Sequence, residues 1–286
     1  MQGPLAACVY GVAALRAGLN AGRVVVSASV AEEVVEGAAL IAVCERVLPD
    51  YVVICEATGL HVATGHRGRA EVMVEVEGRP SHSAWPELGI NAAEAMADAV
   101  HALRRIELPH HDQLGDALLV LTDIISQPYP GRSVVPERCR ATYDRRTVPG
   151  ETEADVLGPV REALRVTAGK ATAKITADRV RTWTGAWIEA QRFAAAWDVD
   201  EGAPIVQSAL AALREIALPA RTSHWAFCTN GSGSAGRLGI PTIGYGPGDE
   251  QQAHCVDEHI ELDQLSQGAD GYAAITAGLL APGDGS

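Results

Sequence analysis

Two short, continuous apolar runs constrain this chain most: VVVSASV at residues 24–30 and YVVICE at 51–56, with a stretch of helical spacing between them. A strand whose successive residues are all apolar has no wet face, so it belongs in a sheet covered on both sides. Expected helices at 4–17 and 34–46 and strands at 23–30 and 51–56 give a βαβ-like alternation, one half of an α/β domain. Pro4 suits a first helical turn and Gly18 a stop. Both runs end in carboxylates, Glu32 and Glu33 after the first and Glu56 on the second. Strand ends are where an α/β sheet places its chemistry.

The pattern changes near residue 69. In EVMVEVE, Val72, Val74 and Val76 alternate with Glu71, Met73, Glu75 and Glu77, a strand with one solvated face. A helix is expected at 91–105, strands at 117–126 and 137–146, a helix at 151–165 and a strand at 171–181. The order β-α-β-β-α-β is that of a ferredoxin-like sandwich, here an insertion. Residues 182–197 read as a linker holding a partly buried aromatic set. The α/β pattern then returns, with a helix at 203–217, a strand at 223–228, the glycine-rich turn TNGSGSAG at 229–236, a strand at 241–246 and a helix at 262–280. A length of 286 residues exceeds the usual single core. The expected division is an α/β catalytic domain at 1–66 and 183–286, with an inserted α+β domain at 67–182.

Charge narrows the function. The formal net charge is −13 and the only lysines are Lys170 and Lys174, so no basic stripe can neutralise phosphates and nucleic acid is not an expected partner. Six scattered cysteines without CxxC spacing suit reduced thiols in a cytoplasmic protein. The opening MQGPLAACVYGVAALRAG lacks a basic lead and carries Arg16, which fits neither a signal peptide nor a membrane span.

Glu32, Glu33, Glu56 and His254, the last in AHCVDEH, make three carboxylates and an imidazole. Those donors suit a zinc, manganese or cobalt site. Each has a plain alternative: an adjacent Glu pair can be a solvated helix start, Glu56 a strand-end ion pair and His254 a loop histidine. The glycines of TNGSGSAG can serve tight turns alone, and no P-loop lysine follows them. Ser232 and Ser234 lie in no G-x-S-x-G elbow, which disfavours a serine hydrolase. His61, His66, His110 and His111 receive no role.

The series SASVAEE, CEAT, GRPSHSAWPELGINA, VVPERCRATYDRRTVPGET and GIPTIGYGPGDEQQAHCVDEHI resembles, in order and spacing, the M20 metallopeptidases, a family that includes acetylornithine deacetylase, succinyl-diaminopimelate desuccinylase and glutamate carboxypeptidase. The TNGS turn and GPGDE are most similar to a selenium-metabolism-linked hydrolase branch. The resemblance implies a metal-dependent amidohydrolase or deacylase with two divalent metal ions, zinc first. Its substrate would be an N-acyl amino acid or dipeptide, and the chain would be a homodimer through residues 67–182. Glu32 would be the general base, Glu33 and His254 ligands of one metal, and Glu56 a ligand of the other. His82 would reach across a dimer interface to polarise the scissile carbonyl, and Arg146 would hold a substrate carboxylate. It can equally pair with Asp144 or Asp155, and His82 can be a turn histidine. Asn230, Gly231 and Ser232 would line the substrate pocket with exposed backbone amides. The family's Asn before VVP is Ser133 here.

In the family a metal-binding histidine and a bridging aspartate come before the segment matching Met1–Pro4. The chain is therefore expected to be truncated, to retain metal weakly and to be inactive alone. The alternative is a short, non-catalytic relative acting as a dimeric binding protein.

Overall fold

The computed structural model describes residues 2–15 and 22–281. In chain order its elements are α1 (Gln2–Ala14), α2 (Ala38–Val47), β1 (Val52–Ile54), β2 (Val62–His66), β3 (Gly68–Glu77), α3 (Ala92–Leu103), β4 (Leu118–Gln127) and β5 (Arg138–Thr147). They continue with α4 (Glu153–Ala163), β6 (Lys170–Ile175), β7 (Ala177–Arg181), β8 (Trp187–Gln191), β9 (Phe193–Ala194), β10 (Trp197–Asp198), α5 (Pro204–Glu215), β11 (Thr222–Trp225), β12 (Thr242–Gly244) and α6 (Leu262–Leu280). Two compact units result, one of Met1–His66 with Trp197–Ser286 and one of Arg67–Ala196.

The first unit is a mixed sheet in the order β1-β12-β2-β10, with β11 also pairing β2. β1 and β12 run parallel, Val52 beside Thr242 and Ile54 beside Gly244. One face is closed by α1, α5 and α6 through Cys8, Val62, Val206, Leu213, Ile243, Tyr245 and Ile275. The other is closed by α2 and two indoles through Leu40, Cys44, Ile54, Ala63, Trp197 and Trp225. Gly244 is obligatory here, because a Cβ would lie 1.9 Å from the Trp225 ring. The central strand β2 was not foreseen. Its five residues, VATGH, are all buried and too few to show a period.

The second unit has the expected β-α-β-β-α-β order. β3 pairs antiparallel with β5 on one side and β6 on the other, and β4 completes the far edge. Alternation sets its faces: Val72, Val74 and Val76 are fully buried against Ala95, Met96 and Ala99 of α3 and Val156 and Val160 of α4. Asn91 starts α3 by accepting from the backbone N–H groups of Ala93 and Glu94. Thr152 and Asp155 form a reciprocal capping box at α4.

Three expectations are corrected. Residues 23–30 form no strand. A strand exists only by pairing, and here the run is unpaired by any strand among the described residues, with Val25 and Val26 about half exposed (49% and 41%). The second helix begins at Ala38 rather than 34, because Ala31 (φ 59°) and Gly37 (φ 80°) take left-handed backbone and break the entry. Residues 182–197 are not a linker. Ala177–Arg181 and Trp187–Gln191 form an antiparallel ribbon, and β9 pairs with β3, so the second unit runs on to Ala196. Trp183 at the ribbon tip is 94% exposed rather than partly buried. The Gly18 stop lies outside the described residues. Among the described residues no disulfide joins any of the six cysteines, and no described helix is long and apolar enough to cross a membrane.

Candidate functional site

In the first unit, Glu32 and Glu33 sit on the turn that precedes α2. The Ala31 carbonyl accepts from the N–H groups of Val34 and Val35, which folds the turn back and leaves both carboxylates on it. Glu56 follows β1, with its backbone fixed by close approach to Gly246, where a Cβ would lie 2.3 Å from the Glu56 carbonyl oxygen. His254 lies in the loop before α6 with φ 62°, the preceding turn being capped by Asp249 onto the Gln251 N–H at 2.9 Å.

These segments, far apart in sequence, meet. His254 Nε2 stands 3.5 Å from Glu33 Oε1. Burial, reinforced by the negative charges of Glu56, Glu33 and Glu36, pushes the Glu32 carboxyl up to about 8. Burial and the charge of Glu33 likewise raise Glu56 to about 7. Carboxylates crowded this way resist ionisation until a cation or proton offsets them. Carboxylate oxygens and an imidazole nitrogen are donors of the kind a divalent metal takes, and Glu33 and His254 are the two that the structure brings together. Among the described residues no three His, Cys, Asp or Glu side chains form a ready ligand group. Glu36 was overlooked in the sequence, although its spacing of four from Glu32 was visible there.

The glycine-rich turn has a different role from the one expected. Asn230 Oδ1 accepts from the Gly37 N–H at 2.9 Å, which ties this turn to the one carrying the glutamates. The amides of Gly231 and Ser232 are bonded within the turn: the first donates to Thr229 Oγ1 and the second to the Thr229 carbonyl. Both residues are buried, because a glycine-rich helical turn closes its own hydrogen bonds and packs on Trp197 and Gly37. His66, given no role from sequence, is fully buried at the end of β2. Its Nε2 accepts from the Thr229 N–H at 3.1 Å and its ring packs edge-on against Trp197, which fixes the start of the turn.

In the second unit, His82 is exposed on a loop held to residues 133–135 by an antiparallel bridge to Val134. Its Nδ1 accepts from the Ala84 N–H at 3.0 Å, so in the neutral ring the proton resides on Nε2. Arg146 pairs through Nε with Asp144 at 2.7 Å, the structural alternative of the two readings. Asp144 also receives Arg69 at 3.0 Å. The adjacent Arg145 points into the core and pairs with Glu151.

Residues 64–172 match the peptidase dimerisation domain of the M20 family. The protein YgeY of Escherichia coli K12 is 32% identical over 236 residues, which are 82% of this chain and 58% of that protein. The acetylornithine deacetylase of Photorhabdus laumondii is 25% identical over 81% of this chain and 57% of its own length. The chain thus spans a little over half the length of these curated relatives. Among solved structures, aminopeptidase PepT of Bacillus cereus superposes with a TM-score of 0.66 at 18% identity, over 89% of this chain and 63% of that one. The M20 metallo-carboxypeptidase Sso-CP2 of Sulfolobus solfataricus gives 0.63 at 13% identity, over 96% of this chain and 74% of that one. These two share the fold. The chain carries the dimerisation domain of the M20 peptidases and is homologous to an acetylornithine deacetylase.

Proposed function

We propose that this chain provides the catalytic carboxylates of a metal-dependent amidohydrolase that cleaves the amide bond of an N-acyl amino acid or dipeptide. The observation that carries the reading is the convergence of Glu33 and His254 beside the charge-crowded Glu32 and Glu56. Glu33 and His254 would hold one divalent ion and Glu56 a second, zinc being the first choice for a mixed oxygen and nitrogen donor set. Bound divalent metal supplies a water acidified toward neutral pH and an electrophile for the amide carbonyl. Glu32 is the proton carrier. A carboxyl poised near neutrality can take a proton from the attacking water and return it to the departing amine. His82, with its proton on Nε2, would reach across the dimer interface and donate to the carbonyl oxygen as negative charge builds there. Arg146, whose Nε is engaged by Asp144, would present its terminal nitrogens to a substrate carboxylate. The homologous dimerisation domain supports a homodimer through the second unit.

The test is release of free amine from a panel of N-acyl amino acids and dipeptides, with excess zinc, cobalt or manganese and with a chelator. No turnover is expected without added metal, in keeping with weak retention of metal by this chain; turnover that excess metal restores and a chelator abolishes would support the amidohydrolase reading and overturn the expected inactivity. A second reading, a non-catalytic dimeric binding protein, is favoured by the lack of a three-donor group among the described residues. Tight ligand binding with no cleavage at any metal concentration would select it.

A further inference from the structure

We infer that Trp85 is a specificity-determining residue, forming an apolar wall beside the carbonyl that His82 addresses and favouring substrates with an aromatic or long aliphatic group there. The inference rests on the proposed role of His82 and adds the substrate class to it.

Trp85 is 57% exposed, and the hydrophobic core of its unit closes without it. Its indole leans instead on the His82 ring, with centroids 5.4 Å apart and planes tilted by 56°. The pair is held by backbone. Trp85 N–H donates to the His82 carbonyl at 2.8 Å, Ser83 N–H to Ser133 at 3.1 Å and Val135 N–H to Ser81 at 2.8 Å. Gly89 packs so closely behind this loop that a Cβ would lie 2.6 Å from Ser81 Oγ. The backbone that carries both rings is therefore held in place.

A carbonyl accepting from His82 Nε2 lies about 3 Å from it, so the substituent on that carbonyl falls within reach of an indole whose centre is 5.4 Å from the imidazole centre. Val134, bridged to His82 and 41% exposed, extends the apolar surface. Ala84, Trp85, Pro86 and Val134 carry no charge, so these residues offer a charged acyl chain no counter-ion. Aromatic and aliphatic groups gain from the indole face, whereas a methyl group is too short to cover it.

The experiment uses the full chain with added zinc and follows the indole N–H signals by two-dimensional NMR. There are five tryptophans, and the Trp85 signal is the one missing in Trp85→Phe. N-benzoylglycine is expected to shift that signal. Its Kd should rise about tenfold in Trp85→Ala and by less than that in Trp85→Phe, the size expected for losing an aromatic contact. The Kd of N-acetylglycine should stay unchanged in both. An unmoved Trp85 signal, or equal weakening of both compounds, would overturn the inference. Because binding is read without turnover, failure to hydrolyse either compound counts against the amidohydrolase reading alone.

Discussion

Burial and three neighbouring glutamates hold the Glu32 carboxyl at about 8, while Glu33 beside it stays largely exposed and faces His254. Adjacent residues thus meet very different surroundings. Glu32→Gln should lower turnover by about 10² to 10⁴ in the metal-supplemented chain while leaving metal content unchanged. A parallel loss of bound metal would make Glu32 a ligand instead. Asn230 offers a second test at this scale. If its main task is the bond to Gly37, Asn230→Ala strands a part-buried N–H and should cost about 1–3 kcal/mol in urea unfolding. An unchanged unfolding midpoint would return Asn230 to the substrate pocket. The glutamate pair was legible in sequence because it ends an apolar run. The Asn230 bond was not, since its partners are 193 residues apart.

Local chemistry was the most readable part of the elements. The helices expected at 91–105 and 151–165 do begin there, at Asn91 and Thr152, whose side chains replace missing backbone partners in the structure. Thr152→Ala should cost about 1 kcal/mol in urea at neutral pH. The side-chain and backbone hydrogen bonds from Thr152 hold the Asp155 carboxyl below its usual 3.8. A depressed acid stabilises above its unfolded value and loses that contribution as pH falls through the folded one. The stability gap between the native chain and Thr152→Ala should therefore narrow only below pH 3.8, and a gap constant down to the most acidic conditions would refute the carboxylate's part in the cap. Residues 23–30 show the converse. The apolar run is real, but pairing is decided by other segments, and none of the described residues pairs with it.

The second unit has its own core of Val72, Val74, Val76, Met96, Ala99, Tyr143, Val156 and Val160, and its chain enters and leaves at neighbouring strands, β3 and β9. Residues 67–196 expressed alone should therefore fold and unfold cooperatively in urea. A non-cooperative transition would show that this unit borrows stability from the rest of the chain. Light scattering on the full chain should give twice the monomer mass if the homologous domain dimerises here, and monomer mass would remove the homodimer from the proposed function. The sequence by itself determined the α/β class, the inserted β-α-β-β-α-β sandwich, the likeness to M20 peptidases and the carboxylates at the end of each apolar run, because periodicity and motifs are local. Only the tertiary structure decided that Glu33 meets His254, that Glu36 and Glu56 add to the charge on Glu32, and that the 229–237 turn spends its amides internally. It also set the boundary of the insertion at Ala196. Those outcomes depend on which distant segments pack together and how deeply they are buried, and neither is written in the spacing of residues along the chain.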